Sequence, residues 1–204
     1  MIDTPTLHAS YQGQLLIAMP ELQAEPFHQA VIYVCQHDEE HAMGLILNQP
    51  ISGLNFSKMM KELGLNSTDT SLNAQKIFHG GPVQNDRGFV LHSLDYQIDD
   101  ITLDLGGPYI RVSEDKEIGI GLTASRDILV DLSGGEGPAH SLIALGYAGW
   151  GPGQLESELS ENVWLVAPAS QALIFGGAPE HLWTRALSSL GVEPAHLSGT
   201  SGHA

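Results

Sequence analysis

The chain has 204 residues, 42% of them hydrophobic, with 23 glycines, 11 prolines and one cysteine, and its 24 acidic against eight basic side chains leave a formal charge of −16. A chain of this length buries roughly 70% of its unfolded surface without a metal or a disulfide, and the lone Cys35 excludes an intramolecular disulfide and an all-cysteine metal site. Direct binding to nucleic acid is not expected: neutralising about 6 to 10 phosphates would need nearly every one of the scattered Lys58, Lys61, Lys76, Arg87, Arg111, Lys116, Arg126 and Arg185 on one face.

Apolar runs such as 15–19 and 30–35 reach about six residues, far short of the roughly 18 of a membrane span. The N-terminus lacks a basic segment followed by an apolar one, so a cytoplasmic location is expected. No linker with a composition shift and no fixed-period repeat divides the chain, which predicts one compact domain over 1–204 with a frayed, glycine-rich tail at 198–204.

In chain order, 14–19, 29–36 and 42–48 are β-branched or aliphatic runs bounded by proline or charge, and they predict strands. Phe56, Met59, Met60 and Leu63 recur at helical spacing, with Asn55 as N-cap and Gly64 closing the helix. The polar stretch 65–75 reads as a mobile surface loop. Two short strands, KIFH and RGFVLHS, flank the Gly80–Gly81–Pro82 turn, and further strands are expected over 109–115 and 117–124. Ser125 can cap a helix carrying Ile128, Leu129 and Leu132, stopped at Gly134 and Gly135.

The run 142–149 suits a buried strand or a helix, and Pro152 suits the first turn of a following helix. WLVAP predicts a strand, and Leu182, Trp183, Ala186, Leu187 and Leu190 form one face of a helix over 179–190. The elements alternate without a regular βαβ period, which predicts an α+β fold with a strongly bent mixed sheet.

The segments LLIAMP (15–20), VIYVCQHDEEHAMGLILNQP (31–50), GGPVQNDRGFVLHS (80–93), TASRDIL (123–129) and ALGYAGWGPGQLESEL (144–159) together resemble the bacterial AlgH/YqgE family. The resemblance implies a compact α+β fold with a small closed barrel flanked by helices, a bacterial cytoplasmic setting, and a link to transcriptional regulation without an assigned biochemical activity. It carries no catalytic motif and no cofactor. Two positions depart from the family's usual residues, His41 in place of a glycine and Gln49 in place of a basic residue.

The residues that could carry chemistry are few. Cys35 and His37 are two apart on a strand, hence on one face, where a thiol and an imidazole could form a nucleophile and base. The competing reading, that Cys35 is a core residue beside Val31 and Tyr33, is favoured because free cysteine is among the most buried residue types. His37 and His41 have a metal-ligand spacing only if the acidic turn between them were helical. Gly149, Gly151 and Gly153 precede a helix and could cradle an anion, but no lysine follows and a tight turn that lets glycine pack closely beneath Trp150 is the favoured reading.

Arg87 and Arg126 could grip a ligand carboxylate or phosphate, but structural salt bridges to Asp86, Asp127 or another carboxylate are the expected use, since acids far outnumber bases. Asn48, His79, Arg87, Arg126 and Trp150 are thus the candidate binding residues. Asn48, Arg87, Arg126 and Trp150 are expected to form a polar rim around Trp150. The expected function is a non-enzymatic binding or regulatory protein acting through a protein or small-molecule partner. The alternative is an enzyme using Cys35 and His37, or Asn48, His79, Arg87 and Trp150.

Overall fold

The computed structural model describes residues 10–65, 71–108, 110–113 and 116–197. The strands are β1 (Gln14–Ala18), β2 (Val31–His37), β3 (Ala42–Ile46), β4 (Pro50–Asn55), β5 (Lys76–His79), β6 (Val83–Ser93), β7 (Leu103–Asp104), β8 (Ile110–Ser113), β9 (Lys116–Ile118), β10 (Ile120–Thr123), β11 (Ser141–Trp150) and β12 (Trp164–Pro168). The helices are α1 (Phe56–Glu62), α2 (Asp127–Gly134), α3 (Gln154–Ser160), α4 (Gln171–Ile174), α5 (Leu182–Ser189) and α6 (Pro194–Leu197), with one 3₁₀ turn at Pro179–His181.

A ten-stranded sheet runs in the order β12-β1-β2-β3-β11-β6-β10-β7, and β5, with β4 beyond it, joins β11. Every pairing is antiparallel except β5 with β11. The sheet curls into a half-barrel. The predicted closed barrel is not found, because among the described residues β12 and β7, the two ends of the path, do not pair with each other.

Curling explains how the core divides. Side chains from both halves of the sheet converge on the inner face, where Leu15, Ile17, Tyr33 and Leu45 from one half meet Phe89, Leu91 and Leu122 from the other, under Leu182, Trp183 and Leu187 of α5. On the outer face the halves diverge and each needs its own cover. Leu16, Ile32, Ala148 and Trp150 pack beneath Leu155 of α3 and Trp164. Ile77, Val90 and Ile143 pack beneath Phe56, Met59 and Met60 of α1 and Ile128, Leu129 and Leu132 of α2.

β11 bridges the halves, with its start beside β5 and its end beside β3. The chain must therefore cross β11 between β5 and β6, which pair on its opposite edges. It does so backbone against backbone. A Cβ on Gly81 would lie 2.1 Å from the carbonyl carbon of Tyr147, and one on Gly146, whose φ is +73, would lie 2.5 Å from the Gly81 oxygen. Only glycine fits such an approach. The register shifts here, between Leu145 and Tyr147, so that Leu145 faces the outer core while Tyr147 faces the inner one.

Local expectations hold where the physics is local. Asn55 Oδ1 accepts the Lys58 N–H as an N-cap, and Gly64 takes a left-handed φ of +70 just beyond α1. The 142–149 run is a strand, whereas Pro152 stands outside the helix it was expected to open: α3 starts at Gln154, with the left-handed Gly153 before it. Strand β4 is not evident from sequence: PISGLN has neither clean alternation nor a buried residue. Of the 65–75 loop, residues 66–70 lie outside the described residues, as do Tyr109, Glu114 and Asp115 of the strand expected there and the 198–204 tail. No described helix is long and apolar enough to cross a membrane.

Candidate functional site

The second surprise in strand geometry lies at Cys35. Val34 pairs with Gly44 and Gln36 with Met43, the adjacent residue, so Cys35 is the extra residue of a β-bulge. A bulge reverses the alternation beyond it. Cys35 thus stays in the inner core, whereas His37 pairs with Ala42 and shares its outer face.

The face that would pair a nucleophile with a base therefore does not form. The thiol is 1% exposed, and burial pushes its pKa up to about 12, which favours the core reading. His37 is engaged at both nitrogens. The Tyr11 N–H donates to Nδ1 at 3.0 Å, which requires that nitrogen to be unprotonated, so Nε2 carries the hydrogen and donates to Glu156 Oε1 at 2.8 Å. His41 pairs instead with Asp38 in an exposed turn, so the two histidines do not converge as metal ligands.

Other candidates also prove to be fastened inward. Asn48 accepts the Val31 N–H and donates to the Gln29 oxygen, both at 2.9 Å, holding the entry to β2. Gln49, the uncharged departure from the family pattern, donates to the Pro26 oxygen. His79 lies on β5, partly buried, with Nδ1 unpartnered and its backbone N–H bonded to the Gln49 oxygen. Trp150 is 6% exposed, and its indole donates to Glu158 Oε2 at 2.8 Å, as does that of Trp164. Gly151 N–H donates to Gln154 Oε1, which occupies the proposed anion cradle.

The rim around Trp150 is not what the structure assembles. Arg87 and Arg126 line one cleft of about 430 Å³ on the outer face, whereas Trp150 lines a separate depression with Gln36 and Tyr147, and the two share no residue. The cleft lies between α1 and α2. Its floor is apolar, formed by Leu54, Met59, Val90, Leu129, Ile143 and Leu145. Met59 and Glu62 are three apart on α1 and so project to the same side, one on the floor and one at the edge. Glu62, Asp86, Ser125 and Arg126 supply the polar margin.

The two arginines do different things there. The Arg126 guanidinium donates to the Leu63 oxygen at 2.8 Å, tying the turn before α2 to the end of α1. The Arg87 guanidinium lies 5.2 Å from the centre of the Phe89 ring and reaches Gln84. Phe89 belongs to the inner core, so the charged end of Arg87 points away from the cleft floor. Among the described residues neither arginine pairs with a carboxylate, contrary to the expectation that Asp86 and Asp127 would claim them. Asp127 accepts from the Ser125 hydroxyl instead.

A buried polar chain beneath α2 was not legible from spacing. His92 is fully buried; its Nδ1 faces the Ser93 oxygen at 2.9 Å and must donate to it, so Nε2 accepts from the Thr123 hydroxyl at 2.9 Å. Thr123 in turn accepts from Thr102 at 2.8 Å, and Thr102 accepts the Ile98 N–H. Each member donates one way and accepts the other, leaving none unsatisfied. Burial holds the His92 pKa below the ordinary imidazole range, opposed in part by the bond to Ser93 and the charge of Asp95. The only signal in the sequence was that His92 and Thr123 both alternate with apolar residues on strands.

The AlgH-like family profile matches residues 15–195. A UPF0301 protein of Nitrobacter hamburgensis is 45% identical over 99% of this chain and 92% of its own length. One from Caulobacter vibrioides is 44% identical over 94% of this chain and 93% of its own. The solution structure of the AlgH protein from Pseudomonas aeruginosa, 39% identical, superposes over the whole of both chains with a TM-score of 0.73. A crystal structure from Corynebacterium diphtheriae, 18% identical over 94% of this chain and 93% of its own, shares the fold with a TM-score of 0.63. This chain belongs to the AlgH-like family.

Proposed function

We propose that this protein works by binding rather than by catalysis, and that the cleft between α1 and α2 receives its protein or small-molecule partner. The observation that carries this reading is a floor of buried and partly buried apolar side chains with Glu62, Asp86 and Arg126 at its margin, none of them in an ion pair among the described residues. A concave apolar surface with a few polar groups at its edge is what a ligand site requires. The groups most suited to catalysis support the same reading from the other side: Cys35 is sealed in the core, and His37 and His92 have both nitrogens engaged. Any effect on transcription passes through that partner in the cytoplasm, because a chain of charge −16 repels nucleic acid.

Gly88 offers a clean test. It lines the cleft, and a Cβ there meets nothing nearer than the Leu145 Cδ2 at 3.9 Å, so Gly88→Leu can project its side chain into the cleft without disturbing the backbone. Native mass spectrometry of the purified protein should show a bound species that is lost in Gly88→Leu while the melting temperature is unchanged. A species retained in full by that variant places the partner elsewhere.

A further inference from the structure

The margin of the cleft carries both signs of charge. Glu62 on α1 and Asp86 on β6 line it, as does Arg126 on the turn before α2, and among the described residues no ion pair joins any of them. Opposite charges left apart around an apolar floor are complementary to a molecule that bears both. A simple anion could meet Arg126, yet it would face the two carboxylates. A simple cation would meet the carboxylates and face Arg126. The bond from Arg126 to the Leu63 oxygen uses one of the guanidinium's five N–H donors, so planar pairing with a carboxylate is still open to it.

Resting on the cleft reading above, we propose that the ligand is an apolar zwitterion of the amino-acid and short-peptide class. Its carboxylate pairs with Arg126, its ammonium with Glu62 and Asp86, and its side chains lie on Met59, Val90, Leu129, Ile143 and Leu145. The size agrees with a small ligand such as a short peptide: the cleft of about 430 Å³ lies within the roughly 300–1,000 Å³ of small-molecule sites. The charge surroundings agree as well. The elements walling the cleft, with the turn before α2, carry four basic residues, Lys58, Lys61, Arg87 and Arg126, against four acidic ones, Glu62, Asp86, Asp127 and Asp131. This side of the molecule is therefore formally neutral on an otherwise acidic protein, which suits a ligand without net charge.

The probe is the dipeptide leucyl-phenylalanine, titrated into the full chain and followed by calorimetry and by amide chemical shifts. The expected result is saturable binding, with shifts confined to the cleft. N-acetylation or C-terminal amidation of the dipeptide should weaken binding by about tenfold or more, since each removes one charge-assisted contact. Arg126→Gln should weaken the free dipeptide by a similar factor and leave the amidated one unaffected, whereas Glu62→Gln should spare the acetylated one. Gly88→Leu should abolish binding of all of them. Equal affinity for the free, acetylated and amidated forms, or no saturable binding at millimolar concentration, overturns the zwitterion assignment. Binding of decanoate or of a co-purified species that is lost in Gly88→Leu, without dipeptide binding, overturns the assignment but leaves the cleft as the site. Dipeptide binding undiminished in Gly88→Leu overturns the assignment by placing the dipeptide outside the cleft.

Discussion

His37 on β2 donates its Nε2 hydrogen to Glu156 on α3 at 2.8 Å, and the same imidazole accepts the Tyr11 N–H at Nδ1. One neutral side chain thereby fastens both the start of the described chain and the helix that covers the outer face of β1–β3. Two residues further along α3, Glu158 accepts from both Trp150 and Trp164, so carboxylates dock this helix to the sheet at two places.

Removing His37 should be costly for this reason. His37→Ala leaves the Tyr11 N–H without its acceptor, and the expected loss is about 1–3 kcal/mol in urea unfolding. Glu156→Gln, which keeps an acceptor oxygen, should cost less than Glu156→Ala. If the histidine is only a spacer, His37→Ala and His37→Gln will unfold at the wild-type urea midpoint.

Acid should weaken the fold through His92. Its pKa in the folded protein lies below the ordinary value near 6.5, so between those two values the unfolded chain binds more protons than the folded one. Stability from this group is complete above that ordinary value and is lost as pH falls toward the folded one. Melting temperature measured from pH 7.5 to 5 should fall more steeply in the wild type than in His92→Gln. Parallel curves would show that His92 does not contribute.

Thiol chemistry tests the bulge on β2. With its thiol buried and pushed up to about 12, Cys35 should react with a disulfide reagent at pH 8 far more slowly in the native protein than in denaturant. Cys35→Ser should destabilise by about 1–3 kcal/mol, because it seals a more polar group in an apolar core where the Tyr33 oxygen and the Leu45 backbone are its polar neighbours. Native reactivity equal to that of the denatured chain would remove Cys35 from the core.

The strand crossing makes the sharpest demand on sequence. Gly146→Ala adds a Cβ 2.5 Å from the Gly81 oxygen at a φ of +73 and should cost more than about 3 kcal/mol. Gly153→Ala, with φ +68 but no atom within 4 Å of the added Cβ, should cost much less. Comparable losses at the two positions, measured by chemical denaturation, would mean that backbone angle and not the crossing is decisive.

The elements governed by near neighbours were legible from the chain alone. Asn55 caps α1, Gly135 ends α2 in a left-handed conformation, and Leu182, Trp183, Ala186 and Leu187 face the core, because capping and helical periodicity act over one or two turns. The family was legible too, since its matching segments run through most of the sequence. That the barrel stays open, that Cys35 and His37 face opposite ways and that no rim forms around Trp150 was not legible. Each depended on a parity or a pairing set by a distant partner: the bulge is defined only against β3, the crossing only against β11, and the destination of the Trp150 indole only by the docking of α3. The cleft is the same kind of object. Met59, Asp86, Arg126 and Ile143 come from four separate elements, and only curling of the sheet beneath α1 and α2 brings them to one surface, because side-chain alternation says which way a residue points and not what it meets.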